Sequence, residues 1–75
     1  MTLYEANKEA RVKLLGIHGS WSMRQRLREL GLHVGDAVVV QHRGPFGGAM
    51  AIRCRGTLIA IGRHLANSIQ VETTK

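Results

Sequence analysis

The side chains that could do chemistry in this sequence are few and scattered. No histidine has a partner at zinc-finger or H-E-x-x-H spacing, and no serine lies in a G-x-S-x-G context. A nucleophile and a general base are therefore not supplied together. We expect no enzyme, no metal site and no cofactor. The carboxylates are Glu5, Glu9, Glu29, Asp36 and Glu72, and the histidines are His18, His33, His42 and His64.

The single cysteine, Cys54, stands between two arginines whose charges could lower its pKa. Its side chain, however, shares a strand face with Met50 and Ile52, so a buried and inert thiol is the better interpretation. A lone cysteine forms no intramolecular disulfide, and the first residues contain no apolar secretory segment. No apolar run reaches the length of a membrane span. We expect a cytoplasmic protein.

The charge balance indicates an acidic partner. The formal net charge is +6, and three arginines, Arg24, Arg26 and Arg28, fall within "RQRLRELG". Such a balance suits an acidic protein, a nucleic acid or an anionic membrane. Binding to single-stranded nucleic acid needs aromatic side chains for base stacking. Only three aromatic residues occur here, far apart in sequence, so no nucleic-acid partner is expected.

Hydrophobic patterning predicts a mainly β fold. Apolar and β-branched runs predict five strands, at residues 10–17, 36–43, 49–55, 57–62 and 69–72. A short α-helix is predicted at 22–30, and one helical or 3₁₀ turn at 63–68. Short strands with brief turns indicate a small barrel of about five strands, with one short α-helix inserted after the first strand. We expect Val38, Val40 and Ile52 in its core.

The helix has recognisable start and stop signals. Ser22 and Gln25 have the spacing of a capping box, and the apolar stripe has i, i+4, i+7 spacing. Gly31 can adopt the left-handed conformation that ends a helix, and Leu32 can then fold back onto the last turn. The stripe consists of Met23, Leu27 and Leu30.

The stretch "QHRGPFGGAM" predicts a hairpin tip. Pro45 fixes one φ, and Gly47 and Gly48 allow positive φ beside it. Phe46 at this tip is unfavourable to expose. Two interpretations remain open: the ring covers the mouth of the barrel, or it contacts another protein as a dominant residue of the interface.

The chain resembles the FeoA family, small cytoplasmic accessory proteins of bacterial ferrous-iron transport, over residues 10–72. The resemblance lies in "RQRLRELGLHVGD" (24–36), "VVVQHRGPFGGAMAIRCRG" (38–56) and "LIAIGRHLANSIQV" (58–71). The family's helix ends in L-G-L-x-P-G, and here Val34 replaces the proline before Gly35. The family's hairpin is P-L-G-G-P, and here Phe46 replaces the leucine and Ala49 the second proline.

The resemblance implies one FeoA-like domain, residues 1–75, with an SH3-like barrel and no enzymatic activity. It implies binding to the membrane ferrous-iron permease, which carries a cytoplasmic GTP-binding region, and thus a position peripheral to the membrane through that partner. The residues expected to contact the permease are Pro45, Phe46, Arg24 and Arg28. The residues expected to form structural turns are Gly31, Gly35, Gly47 and Gly48.

Two alternatives stay open at this point. The same barrel occurs as the C-terminal domain of iron-dependent repressors, and fold by itself does not decide function. A basic SH3-like nucleic-acid-binding module is one alternative, and a small metal-sensing domain that uses histidines or Cys54 is the other. Weak self-association of so small a domain is also left open.

Overall fold

The computed structural model describes residues 1–44 and 48–74. After a 3₁₀ turn at Leu3–Glu5, the described residues form five strands and two helices. In chain order these are β1 (Arg11–Ile17), α1 (Trp21–Glu29), β2 (Ala37–Arg43), β3 (Met50–Cys54), β4 (Thr57–Ile61), α2 (Arg63–Ser68) and β5 (Ile69–Thr73). The predicted mainly β class is confirmed, with five strands and one α-helix after the first.

The strands form a single antiparallel sheet in the order β4-β3-β2-β1-β5. Within the described ranges the ladder does not join β4 to β5. Instead, the N-terminal residues cover the free edge of β5: the Val71 N–H donates to the Met1 carbonyl at 2.8 Å, and Thr2 forms a bridge with Gln70. Pairing of this kind protects an edge strand from association with another chain.

A bulge in β1 positions the loop that follows α1. The register with β5 shifts between Leu14 and Gly16, and bulges of this type bend the strand. At the bulge, the Leu14 N–H donates to the Asp36 carbonyl at 2.9 Å, and the Gly35 N–H donates to the Leu14 carbonyl at 2.8 Å. The loop is thereby fixed against the sheet just beyond the end of the β1–β2 ladder.

The core follows the predicted strand alternation. Val38, Val40 and Ile52 are each at most 2 % exposed. Cys54 is buried with Met50 on the inner face of β3, as the alternation predicts. Side chains of the 3₁₀ turn and of α2 complete the cluster. Burial of each large apolar side chain contributes about 1.5–3 kcal/mol to stability.

The N-cap of helix α1 lies two residues before the position that the sequence indicates. Ser20, with extended backbone, is the N-cap, and its Oγ accepts from the Met23 N–H at 3.4 Å. The prediction of Ser22 as the cap is wrong. Ser22 lies inside the first turn, where its hydroxyl bonds to that of Ser20 at 2.8 Å. The Gln25 that suggested a capping box instead accepts from Arg28 at 3.4 Å.

The end of α1 is a Schellman motif. The Gly31 N–H donates to the Arg28 carbonyl at 2.9 Å, and the Leu32 N–H donates to the Leu27 carbonyl at 3.2 Å. Gly31 has φ +82°, the left-handed conformation that glycine adopts without strain. Leu32 and Leu27 are both buried, so the stop returns the chain to the core.

Candidate partner-binding site

A groove lies between α1 and the loop that follows it, and we name it the α1 groove. Its volume is about 210 Å³, enough to receive one large apolar side chain. Four of its lining residues are apolar and three carry or can carry positive charge. The lining residues are Ile17, Leu27, Leu32, Val34, Arg24, Arg28 and His33.

Three elements position these side chains. The end of β1 supplies Ile17, and α1 supplies Arg24, Leu27 and Arg28 at i, i+3 and i+4, which lie on one side of a helix. The Schellman stop then reverses the chain and brings residues 32–34 alongside the helix. The groove therefore depends on the helix stop as much as on the helix.

A tight turn fixes the outer wall of the groove. The Asp36 N–H donates to the His33 carbonyl at 3.0 Å, and Gly35 has φ +96°. These features define a type II turn with Val34 at the second position and Gly35 at the third. The Asp36 carboxylate closes the turn a second time by accepting from the His33 N–H at 2.8 Å. Val34 is held on the surface, 64 % exposed.

Asp36 also links this turn to the β3–β4 hairpin. Its Oδ1 lies 3.0 Å from the Arg55 guanidinium, which in addition donates to the Gly31 carbonyl at 2.7 Å. Burial acts to raise the pKa of Asp36, but the His33 N–H and the Arg55 guanidinium outweigh it and hold that pKa below its ordinary value. The carboxylate is ionised at neutral pH. It stabilises the turn and does not line the groove.

The cations of the groove are available to a ligand. Arg24 and Arg28 are exposed, and among the residues described neither has a carboxylate within 4 Å. Arg26, on another side of α1, differs because it lies 3.8 Å from Glu29. An apolar floor beside two guanidinium groups that form no ion pair within the described residues suits a ligand that carries an apolar side chain next to carboxylates.

The structure places the sequence-predicted residues as follows. Arg24 and Arg28 line the groove, and Gly31 and Gly35 are the two left-handed positions of its loop. Gly48 is exposed in the described part of the hairpin. The predictions for Pro45, Phe46 and Gly47 fall outside the described residues.

Sequence reasoning missed the apolar part of the groove. Neither Ile17 nor Val34 was among the residues expected to contact a partner, yet both line the groove. The sequence did draw attention to Val34, because within "LGLHVG" this residue replaces the proline that is usual in the family. Its exposure, however, depends on the turn that Asp36 closes.

The described structure gives no support to metal binding or to a reactive thiol. Burial raises the pKa of the Cys54 thiol, which disfavours the reactive thiolate. Within residues 1–44 and 48–74, no three histidine, cysteine or acidic side chains are grouped so that they could hold a metal ion. The helices of these same ranges are all too short or too polar to cross a bilayer.

Comparison with solved structures shows the same fold in several proteins. A crystal structure described as an iron uptake regulatory protein, FeoA, has 28 % identity and a TM-score of 0.89, with 99 % of this chain and 97 % of that chain covered. The FeoA protein of Chlorobium tepidum also has 28 % identity and a TM-score of 0.89, with 100 % and 71 % covered. The predicted SH3-like class is confirmed by these matches.

A third structure shows how widely the fold occurs. ScaR with bound Zn²⁺ matches with a TM-score of 0.88 and 24 % identity, over 99 % of this chain but only 37 % of ScaR. At that identity the likeness concerns the fold alone.

No curated protein sequence matches this one. The family model for the FeoA domain, however, matches residues 1–73. The chain therefore belongs to the FeoA family.

Proposed function

We propose that this protein is a non-enzymatic, cytoplasmic accessory protein of ferrous-iron uptake that binds the cytoplasmic region of the iron permease. Membership of the FeoA family supports the connection with iron uptake, and so does similarity to a protein described as an iron uptake regulatory protein. The observation that carries the binding proposal is the α1 groove, where an apolar floor lies beside Arg24 and Arg28, two exposed arginines that have no carboxylate within 4 Å among the described residues.

The groove offers both long-range attraction by charge and short-range apolar contact. The two arginines attract an acidic surface over a distance and orient the encounter. An apolar side chain of the permease then enters the groove between Leu27 and Val34. Burial of one large apolar side chain is worth about 1.5–3 kcal/mol, so short-range contact supplies most of the affinity and charge supplies most of the orientation.

The test is binding of the purified chain to the permease's cytoplasmic region, measured by calorimetry with and without guanine nucleotide. The double variant Arg24→Gln, Arg28→Gln is expected to bind about tenfold more weakly, which corresponds to about 0.7 kcal/mol for each of the two exposed ion pairs lost. Arg26→Gln is the control for loss of a single charge from another side of α1, since Arg26 lies outside the groove and 3.8 Å from Glu29. Equal affinities for the double variant and the wild type would refute this role of the groove.

The hairpin tip gives a second, independent test. From the sequence, Phe46 is expected to add an apolar contact with the permease. Phe46→Ala should then weaken binding and leave the melting temperature unchanged. A large fall in melting temperature with unchanged affinity of the folded fraction would instead identify Phe46 as a core residue.

A further inference from the structure

Trp21 is the most exposed large apolar side chain among those that the described structure leaves at the surface. It is the first residue of α1 and is 75 % exposed. It does not line the α1 groove, so binding of a ligand there would leave the indole in water. An indole combines a large apolar ring with one N–H donor, a combination that is enriched where an apolar phase meets water, above all at membrane interfaces.

The charge around Trp21 is positive. Arg24 and Arg28 follow at i+3 and i+7, which places them on the same side of the helix as Trp21. Glu29 is the one acidic residue of α1, and it lies 3.8 Å from Arg26. His33 and the exposed Val34 face the same arginines across the groove. The whole chain carries a formal net charge of +6.

We propose that Trp21, Arg24 and Arg28 dock this protein on an anionic lipid bilayer, with the indole inserted among the headgroups. Charge complementarity favours this occupant, because basic residues next to a protruding aromatic ring are the features of interfacial membrane helices. A bilayer receives protruding side chains, whereas a folded protein partner needs a cavity for them. The inference goes beyond the proposed function, since it requires no permease.

Docking on lipid would also assist the encounter with a membrane protein. A chain confined to the bilayer surface meets a membrane-bound partner at a raised effective concentration, without any new contact between the two. The groove and the outer side of α1 lie next to each other, because Arg24 and Arg28 border both. When Trp21, Arg24 and Arg28 contact the bilayer, the groove therefore lies beside the lipid surface.

The experiment uses the full chain and vesicles that contain no protein. Trp21 is the only tryptophan, so its fluorescence reports on this site alone. With vesicles of phosphatidylcholine that contain phosphatidylglycerol as about one third of the lipid, emission should shift to shorter wavelength and the chain should co-sediment. Pure phosphatidylcholine vesicles should do neither. Salt should weaken the binding, because the Debye length is only about 10 Å at 0.1 M.

Three variants separate specific docking from general attraction of a basic protein. Trp21→Ser should reduce co-sedimentation by about tenfold or more, because the indole no longer enters the headgroup layer. Arg24→Gln with Arg28→Gln should reduce it by about thirtyfold, at about 1 kcal/mol for each arginine. Arg11→Gln with Arg63→Gln removes the same charge elsewhere and should lose much less. Thermal unfolding of each variant checks that the fold is intact.

Several results would overturn the proposal. One is absence of co-sedimentation with the anionic vesicles at low salt. Another is an equal loss in the two double variants, which would mean attraction by net charge alone. A third is a spectral shift of Trp21 with the permease fragment but not with vesicles, which would assign the indole to a protein interface. Failure with vesicles leaves the permease-binding measurement unaffected, so the two proposals fail separately.

Discussion

The guanidinium of Arg55 lies 3.0 Å from the carboxylate of Asp36 and ties the β3–β4 turn to the loop that follows α1. Arg55 also donates to the Gly31 carbonyl at 2.7 Å, so one side chain contacts the loop both at Gly31 and at Asp36. It does so from a backbone with φ +51°, which is uncommon for a residue other than glycine. The outer wall of the α1 groove depends on this link.

The Arg55–Asp36 pair predicts how stability changes with pH. Because the pKa of Asp36 is lower in the folded protein than in the unfolded chain, the folded state binds fewer protons in acid. The stability that Asp36 contributes is therefore complete above its unfolded pKa of about 3.9 and is lost as pH falls through the folded pKa. Urea unfolding between about pH 2 and pH 6 measures this slope.

Arg55→Gln should make that acid-dependent loss of stability smaller, because the folded and unfolded pKa values of Asp36 then lie closer together. Without the guanidinium, the pKa of Asp36 returns toward its ordinary value, as an NMR titration of the carboxylate would show. Arg53→Gln is the matched control, because Arg53 donates to the Gly56 carbonyl and makes no contact with Asp36. The same pKa of Asp36 in wild type and Arg55→Gln would contradict the role given to the pair.

Gly31→Ala should destabilise the fold by about 1–2 kcal/mol, because an L residue is strained in the left-handed conformation. Nothing lies within 4 Å of the position where its Cβ would be, so the effect comes from φ +82° and not from a clash. Gly16→Ala is the control: the site is equally open and has no left-handed φ. Alanine there should be neutral or add up to about 1 kcal/mol. Similar melting temperatures for both variants would refute the argument.

Ser20→Ala should lower the free energy of unfolding by about 1 kcal/mol, because the Ser20 hydroxyl is the acceptor for the Met23 N–H at the helix start. Ser22→Ala tests the position that the sequence suggested as the cap, and it should change stability much less. Thermal melts detect the difference, since 1 kcal/mol shifts the melting temperature of a domain this small by about 4–8 °C. A larger loss of unfolding free energy for Ser22→Ala than for Ser20→Ala would show that Ser22 is the N-cap.

Val34→Pro should stabilise the protein by about 0.4–1 kcal/mol. Val34 occupies the second position of a type II turn, where proline already has the required φ and restricts the unfolded chain. Val34→Ala is the control, because it shortens the side chain and leaves φ free. A fall in melting temperature for the proline variant alone would show that the turn at residues 33–36 is of another type.

The local elements of this fold were predictable from particular residues. Alternation of Met50, Ile52 and Cys54 predicted which face of β3 is buried, and the structure buries those three side chains. The Leu30-Gly31-Leu32 sequence predicted a helix stop, and the backbone there has that form. The start of α1 was predicted wrongly, because Ser20 and Ser22 are both good caps and Gln25 favoured the second.

The candidate site was predictable only in part. Arg24 and Arg28 were singled out because charge is visible in a sequence. The apolar half of the groove was not, since exposure of Val34 and burial of Leu32 depend on a chain reversal closed by Asp36 and Arg55. Trp21 was not among the residues expected to contact a partner, because its exposure of 75 % depends on how α1 packs against the sheet.

The sequence by itself determined the strand and helix order, the buried faces, the excess of positive charge and the family resemblance, because these follow from residue type and short-range spacing. Only the tertiary structure decided that the end of β1, one side of α1 and the 32–34 segment line a common groove, and that the indole of Trp21 stays outside it. The reason is physical. The contacts that hold the loop join residues distant in sequence, such as Arg55 with Gly31, and no local pattern encodes them.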